Sequence, residues 1–172
     1  SEIRELVGAV KYKPLKGAFL QRLIRGEEIL NAEMQKYVDN FNVGNMCIAN
    51  IESVAAMDIL DELLSVPGLD GVFIGPHDLS VSLGVPEQYD HPVFEEAVKK
   101  IIHTTRGKGL SIGIHFSLEP ERQIRWIKEG VNIVVHSFDI ALFIQRLMND
   151  MKIIKQGVGD YVAGDEVGNL TI

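Results

Sequence analysis

The amino-acid sequence predicts an α/β fold built on a parallel sheet. From about residue 46 onward, short apolar runs alternate with amphipathic helical segments, and this unit occurs four times in succession. The apolar runs are nearly continuous, which is typical of strands that are covered on both faces. Such units, joined by right-handed crossovers, form either an open doubly wound sheet or part of a (β/α)8 barrel. No G-x-G-x-x-G follows the first strand, so the dinucleotide-binding version of the open sheet is disfavoured.

The first two predicted strands lie before a Gly-Pro pair, which directly follows the second strand. The run "MCIANI" at 46–51 predicts a buried strand, and a helix over about 53–65 follows it. Ser53 is the expected N-cap of that helix, because its hydroxyl can accept a hydrogen bond from a free backbone N–H. The run "GVFI" at 71–74 predicts the second strand, and a loop follows "GP".

The last two units are predicted by the same alternation. Ile124 and Ile127 are expected on the inner face of the third helix, from their spacing. The expected elements are a helix opening at Pro92, a strand at 110–116, a helix beginning at Glu119-Pro120, a strand at 132–137 and a closing helix over 138–155.

The two ends of the chain differ from this alternating region. The first 45 residues suggest helical stretches around 17–25 and 31–41 and no clear strand. From Gly157 onward the sequence is Gly-rich and lacks periodicity. We therefore predict one domain over 1–172, with an irregular extension at 156–172.

The overall composition limits the class of protein. Of the 172 residues, 46% are hydrophobic and 24% charged, which is ordinary for a soluble globular domain. The net charge of −7 argues against non-specific nucleic-acid binding. No apolar run approaches the roughly 20 residues of a membrane span, so no membrane partner is expected. The single cysteine, Cys47, fits a reducing cytoplasm.

Two carboxylates follow the first two predicted strands. Glu52 comes directly after "CIANI" and Asp78 follows "FIGPH", one strand-helix unit later. If these strands are neighbours, their ends lie roughly 4.8 Å apart, and the carboxylates can converge on one cation. Mg²⁺ is commonly held by one or two carboxylates together with water and substrate oxygens, and Mn²⁺ also suits oxygen ligands. The alternative is that both acids cap local helix or turn N-termini.

The Gly75-Pro76 pair suggests an anion-binding turn. Glycine permits close approach of the backbone, while proline fixes φ and donates no hydrogen bond. The next free N–H groups belong to His77 and Asp78, and they could hold a carboxylate beside the cation. An ordinary Gly-Pro loop explains the pattern equally well.

Three further histidines lie near element ends. His91 precedes Pro92 and is expected to cap the following helix. His115 and His136 either line the mouth formed by the strand ends or satisfy buried hydrogen bonds.

At these residues the sequence resembles the HpcH/HpaI aldolase family. "NIES" at 50–53 and "VPGLDGVFIGPHDLSVSLG" at 66–84 are similar to the family's Q-I-E-T and E-G-V-D-G-V-F-I-G-P-A-D-L-S segments. "AVKYKPL" at 9–15 resembles its K/R-Y-P-P-x-G segment, and "HPVFEEAV" resembles its H-P-E-V helix start. The likeness runs from about residue 2 to residue 155.

The resemblance implies a metal-dependent lyase. It implies a class II aldolase that cleaves 4-hydroxy-2-oxo acids to pyruvate and an aldehyde, on a (β/α)8 barrel that usually forms a hexamer. Glu52 and Asp78 match the family's ligands for a divalent cation, Mg²⁺ or Mn²⁺ with Co²⁺ as a further option. The substrate-binding set comprises Gly75, Pro76, His77, Asp78 and His115. Two alternatives remain open: an acyl-CoA lyase related to the citrate lyase β subunit, or a partial barrel that binds a 2-oxo acid and metal without turnover.

The match also implies that part of the barrel lies outside this sequence. A (β/α)8 barrel typically needs about 250 residues, and here strands are predicted for four units only. The family's first four strands carry its general-base His and an Arg, and neither can be identified in this chain. We therefore expect both upstream of Ser1, with this chain supplying the last four βα units. His77 stands where the family usually has a small residue.

Overall fold

A computed structural model of the chain describes residues 2–117 and 119–159. Within these residues, helices and four short strands alternate as the sequence predicts, and no helix is long and apolar enough to cross a membrane. The elements are α1 (Glu2–Lys11), α2 (Gly17–Arg25), α3 (Ala32–Phe41), β1 (Ile48–Ile51), α4 (Val54–Asp58), α5 (Leu60–Leu64), β2 (Gly71–Ile74), α6 (Pro76–Ser82), α7 (Pro92–Gly107), β3 (Ser111–Phe116), α8 (Pro120–Glu129), β4 (Ile133–His136) and α9 (Asp139–Val158).

The four strands form one parallel sheet in the order β1-β2-β3-β4. The order of the strands in the sheet therefore follows their order in the chain, whereas in a doubly wound sheet the strand order reverses at a switch point. Sequential parallel order is the arrangement of a (β/α)8 barrel, and the sheet corresponds to four of its eight strands.

The two faces of the sheet have different environments. On one face, the apolar side chains of the first three strands pack in a layer beneath α7 and α8 and are almost completely buried, whereas Val134 of β4 is half exposed. Burying each such side chain contributes about 1.5–3 kcal/mol, so this layer is the core. On the opposite face, Ile48 and Val135 remain exposed, and Asn50 and Glu52 stand at the β1 end. The buried strand residues are Ala49, Ile51, Val72, Ile74, Ile112, Ile114 and Phe116.

Local sequence signals explain where the helices begin. The Ser53 side chain accepts a hydrogen bond from the Ala56 N–H at 3.2 Å, which confirms it as the cap of α4. His91 Nδ1 accepts from the Val93 N–H at 3.3 Å and caps α7, as expected. Proline occupies the first position of α6, α7 and α8, where its missing N–H has no helical partner to lose.

The predicted helix over 53–65 is divided into two. Ile59 (φ −112°, ψ 22°) leaves the helical region between α4 and α5, and its side chain is exposed. The periodic positions Leu60 and Leu64 are nevertheless buried, because each lies on the inward side of α5. The prediction of a single helix was wrong at this residue.

The region after β2 is helical where a loop was expected. Pro76 begins α6, which runs to Ser82 and buries Leu79 completely. Proline at the first helical position, followed by the apolar Leu79, was the signal that the sequence interpretation missed.

Two further predictions were wrong in detail. In α8 the buried side chains are Gln123 and Trp126, whereas Ile124 and Ile127 are 50% and 43% exposed. Gln123 faces inward, where its side-chain amide donates to the carbonyls of Phe116, the last residue of β3, and Val135, the next-to-last residue of β4. At the C-terminal end, α9 continues to Val158, so the irregular extension does not begin at 156, and residues 160–172 lie outside the described part.

A polar lock joins α1 to the amino-terminal edge of the sheet. Lys11 Nζ lies 2.6 Å from Asp70 Oδ2, and the same oxygen accepts a hydrogen bond from the Cys47 N–H at 2.6 Å. Burial alone would raise the pKa of Asp70, but the hydrogen bonds from Lys11 and Cys47 outweigh it, and the pKa lies below its ordinary value. Burial, together with the Asp70 charge, raises the pKa of the Cys47 thiol, so this cysteine is an inert core residue.

We expect Asp70→Asn to lower the free energy of unfolding by about 1–2 kcal/mol at pH 7. The amide still accepts from the Cys47 N–H but loses the charge that pairs with Lys11. Because the folded-state pKa of Asp70 is depressed, this contribution is present above the unfolded pKa of about 4 and is lost as pH falls through the folded value. Urea unfolding at pH 7 and at acidic pH measures the difference.

The matched control is Asp61→Asn, which removes the highly exposed partner of Lys108. It should change stability by less than about 0.5 kcal/mol, as is usual for surface pairs. Equal losses in the two variants would contradict the assigned role of the lock.

Candidate metal and carboxylate site

Glu52 lies at the carboxyl end of β1, directly opposite Gly75. The register pairs Ile51 with Ile74, and the Gly75 N–H continues the ladder by donating to the Ile51 carbonyl at 3.3 Å. A Cβ placed on Gly75 would lie 2.7 Å from Glu52 Oε2, so any larger residue there would require the carboxylate to shift from this position. Asn50 Nδ2 donates to the same oxygen at 2.7 Å. Glu52 Oε2 is therefore held by its surroundings.

Asp78 lies three residues beyond Gly75, in the first turn of α6, and its side chain is exposed. A hydrogen bond from the Val54 N–H to Ser82 Oγ, 3.0 Å long, ties α6 to the turn that follows Glu52. The Gly75 ladder bond and this tie connect the segments that carry the two carboxylates. Glu52 and Asp78 therefore follow neighbouring strands of the sheet, Glu52 directly after β1 and Asp78 in the first turn of the helix after β2.

These two residues fit the first ligands of a hard divalent cation. No group of three or more His, Cys, Asp or Glu side chains suited to a metal occurs among residues 2–117 and 119–159. Two carboxylates are nonetheless an ordinary protein contribution for Mg²⁺, which completes its octahedron with water and substrate oxygens. The space that Gly75 leaves beside Glu52 is the structural feature in favour of this use.

His77 has a partner in the loop that follows α6. Its Nδ1 lies 3.4 Å from Glu87 Oε1, with both side chains about half exposed. Between them, Ser80 Oγ donates to the His77 carbonyl at 2.7 Å and accepts from the Glu87 N–H at 2.9 Å. The His77 backbone and ring are therefore both connected to the loop at 83–91.

His115 and His136 lie near the ends of β3 and β4 but have different hydrogen-bond partners. By register His115 follows Ile114, which pairs with Ile74, so it is in the same row as Gly75 and Glu52. Its Nε2 lies 3.5 Å from Ser117 Oγ. His136 Nδ1 instead lies 2.8 Å from Oε1 of the buried Gln123, so the hydrogen-bonding interpretation applies to His136.

An arginine cluster beside the end of β3 was not anticipated from the sequence. Arg122 binds both carboxylate oxygens of Asp90, at 2.8 and 3.1 Å, and its guanidinium lies over the rings of Tyr89 and Phe116. The hydrogen bonds from Arg122 hold the pKa of Asp90 below its usual range. The cluster fastens the loop at 83–91 to α8, and its members are too far apart in sequence to show a pattern.

Two residues other than glycine have left-handed backbone conformations among the described residues. They are Glu87 (φ 58°), in the loop after α6, and Ser137 (φ 56°), directly after β4. The Ser137 hydroxyl is buried and has no hydrogen-bond partner within residues 2–117 and 119–159. Strained backbone of this kind concentrates at functional sites, and Ser137 directly follows the carboxyl end of β4.

The comparisons with known proteins agree with this arrangement. A 2-keto-3-deoxy-L-rhamnonate aldolase of Escherichia coli O1:K1 / APEC is 32% identical over 160 residues, covering 91% of this chain and 58% of that protein. The HpcH/HpaI aldolase of Desulfitobacterium hafniense DCB-2 superposes with a TM-score of 0.70 at 24% identity, covering 99% of this chain and 61% of that chain. Citrate synthase SbnG superposes with a TM-score of 0.67 at 24% identity, covering 93% and 60% of the respective chains. At these identities the structural likenesses support the fold.

The family assignment follows from the extent of the sequence match. The chain spans a little over half the length of the curated relatives it matches, 58% of the E. coli protein for example. The sequence model of one family covers residues 2–146, from α1 into α9. This match shows that the chain belongs to the HpcH/HpaI aldolase/citrate lyase family, and the sequential parallel sheet agrees with it.

Proposed function

We propose that this chain provides the metal- and carboxylate-binding part of a class II aldolase. The proposed reaction cleaves a 4-hydroxy-2-oxo acid to pyruvate and an aldehyde. The observation that carries the proposal is the position of Glu52 directly after β1 and of Asp78 in the first turn of the helix after β2, with Gly75 packed against the Glu52 carboxylate. The family match to aldolases and citrate lyases supports carbon–carbon bond chemistry.

In this proposal Glu52 and Asp78 hold Mg²⁺ or Mn²⁺, and Co²⁺ would fit the same oxygen ligands. Asn50 donates to one oxygen of Glu52 and Gly75 lies beside the same oxygen, and the other oxygen is the proposed ligand of the cation. A divalent cation bound there would stabilise negative charge on the 2-oxo oxygen of the substrate as the carbon–carbon bond breaks.

The turn at Gly75-Pro76 is proposed to bind the substrate carboxylate. The His77 and Asp78 N–H groups are among the first in α6, and such groups have no helical acceptor. They can therefore donate to an anion beside the cation. His115, in the same row across the sheet, is proposed to face the remainder of the substrate. The general-base His and the Arg that the family resemblance implies are proposed to lie outside this chain, which spans 58% of the length of the E. coli relative.

We expect Glu52→Gln and Asp78→Asn each to weaken Mn²⁺ binding by more than tenfold. Each change removes the charge of one proposed ligand, and loss of even a supporting partner of a ligand typically costs 10–100-fold in affinity. The electron paramagnetic resonance signal of free Mn²⁺ measures binding, and a coupled assay for pyruvate measures cleavage by the protein that carries this sequence. Glu62→Gln, on the exposed side of α5, is the control and should bind as the wild type does.

Full affinity or full cleavage in either ligand variant, or cleavage that persists in excess EDTA, would contradict the proposal. If the protein that carries this sequence binds oxalate or pyruvate but cleaves no substrate, the result would favour a binding protein over an enzyme. The same assay with CoA thioesters tests the acyl-CoA lyase alternative, which the citrate lyase branch of the family favours.

Gly75→Ala should weaken Mn²⁺ binding about tenfold while leaving the fold intact. The new methyl group would lie 2.7 Å from Glu52 Oε2 and 3.1 Å from its Cβ, so the carboxylate must move. The backbone at Gly75 (φ −83°, ψ 95°) suits alanine, and no strain is added. Gly107→Ala, whose Cβ would meet nothing within 4 Å, is the matched control. Unchanged affinity in Gly75→Ala would show that Glu52 is not held as described.

We also propose that the protein is a homo-oligomer, with the hexamer of the family as the expected form. Along α9 only Ala141 is buried, while apolar side chains are exposed through its length. Exposed apolar surface of this extent is typical of an interface. Light scattering after size exclusion should give a mass several times that of the 19.1 kDa chain, and a monomer would contradict the proposal. The exposed side chains are Ile140, Leu142, Phe143, Leu147, Met148, Met151, Ile153, Ile154 and Val158.

A further inference from the structure

Ser80 is the fifth residue of α6, and its side chain is completely buried. Its hydroxyl donates to the His77 carbonyl at 2.7 Å and accepts from the Glu87 N–H at 2.9 Å. A serine hydroxyl has one proton to donate, and here that proton is directed to a single carbonyl. The side chain therefore joins the first turn of α6 to the following loop.

The carbonyl that Ser80 holds belongs to the peptide unit between His77 and Asp78. This unit is planar, so the His77 carbonyl, the Asp78 N–H and the Asp78 Cα keep a fixed relation to one another. Fixing the carbonyl therefore also fixes the direction of the Asp78 N–H and the position from which its side chain leaves the backbone.

Glu87, in the loop at 83–91, contacts both Ser80 and His77. Glu87 has a left-handed backbone (φ 58°), and its N–H is satisfied by Ser80. Its carboxylate returns to His77 Nδ1 at 3.4 Å. A ring of contacts thus runs from His77 through Ser80 to Glu87 and back, and Asp78 lies next to it on the exposed side of α6.

We infer that Ser80 is a positioning residue for the metal ligand Asp78, acting through the His77–Asp78 peptide unit. The inference rests on the proposed function, since it assumes that Asp78 is a ligand. It assigns a role to a buried hydroxyl that touches neither the cation nor the substrate. The loop at 83–91 acquires a role as well, because its Glu87 N–H holds the hydroxyl oxygen in place.

The test compares Ser80→Ala with Ser80→Cys in the protein that carries this sequence. Ser80→Ala removes the donor and should weaken Mn²⁺ binding about tenfold, within the range expected for a residue that supports a ligand. Ser80→Cys keeps the shape with a weaker donor and should give a smaller loss, and it replaces the alanine variant if that variant does not fold. The amide resonance of Asp78 in ¹H–¹⁵N spectra of the metal-free protein should shift in both.

Ser65→Ala is the matched control. Ser65, the residue that ends α5, also donates to a backbone carbonyl of the preceding turn, that of Asp61 at 2.6 Å. It should leave Mn²⁺ affinity within twofold of the wild type. Thermal unfolding in EDTA is measured for every variant, which separates loss of stability from loss of metal affinity.

Two results would overturn the inference in different ways. If Ser80→Ala lowers the unfolding temperature but binds Mn²⁺ as tightly as the wild type, Ser80 is only a packing residue. If the wild type binds no Mn²⁺, or binds it independently of Glu52 and Asp78, the proposed function fails first and the role of Ser80 fails with it. Reduced affinity together with a shifted Asp78 amide supports the inference.

Discussion

The site depends on the parallel pairing of β1 with β2. Because Ile51 lies opposite Ile74, the residues that follow, Glu52 and Gly75, also face each other. A slip of one residue would turn Glu52 toward the helices, since strand side chains alternate between faces. The apolar layer under α7 and α8 resists such a slip, because it would expose Ile51 to the opposite face. The hydrophobic pattern of β1 and β2 thus determines the position of the Glu52 carboxylate.

Much of the fold could be predicted because it depends on local patterns. The strand over 71–74 was predicted at the bounds that the structure has, and Ser53 and His91 cap helices as expected. These features depend on apolar runs and on short-range capping, which a single sequence displays directly. The pairing of Glu52 with the Gly-Pro segment was also predictable, because in a parallel sheet successive strand ends meet at one edge.

The features that were missed depend on contacts between distant segments. Arg122 meets Asp90 only after the chain has passed through α7 and β3, and neither residue belongs to a periodic pattern. The predicted inward face of α8 was wrong because Gln123 faces inward to donate hydrogen bonds to two strand carbonyls. Hydrophobic spacing does not reveal such bonds. His77 was conspicuous in the sequence, but its partner Glu87 could be found only from the structure.

The lock between Lys11, Asp70 and Cys47 has a consequence for how this protein can change over evolutionary time. It holds α1 and two strands together at the amino-terminal edge, away from the carboxylates at the other edge. The contacts that stabilise the fold and the carboxylates of the candidate site therefore lie at opposite ends of the same strands. Substitutions in the loop at 83–91 can alter the surroundings of His77 without disturbing that lock. Substitutions near the candidate site can therefore accumulate at one edge of the sheet while selection for folding acts at the other.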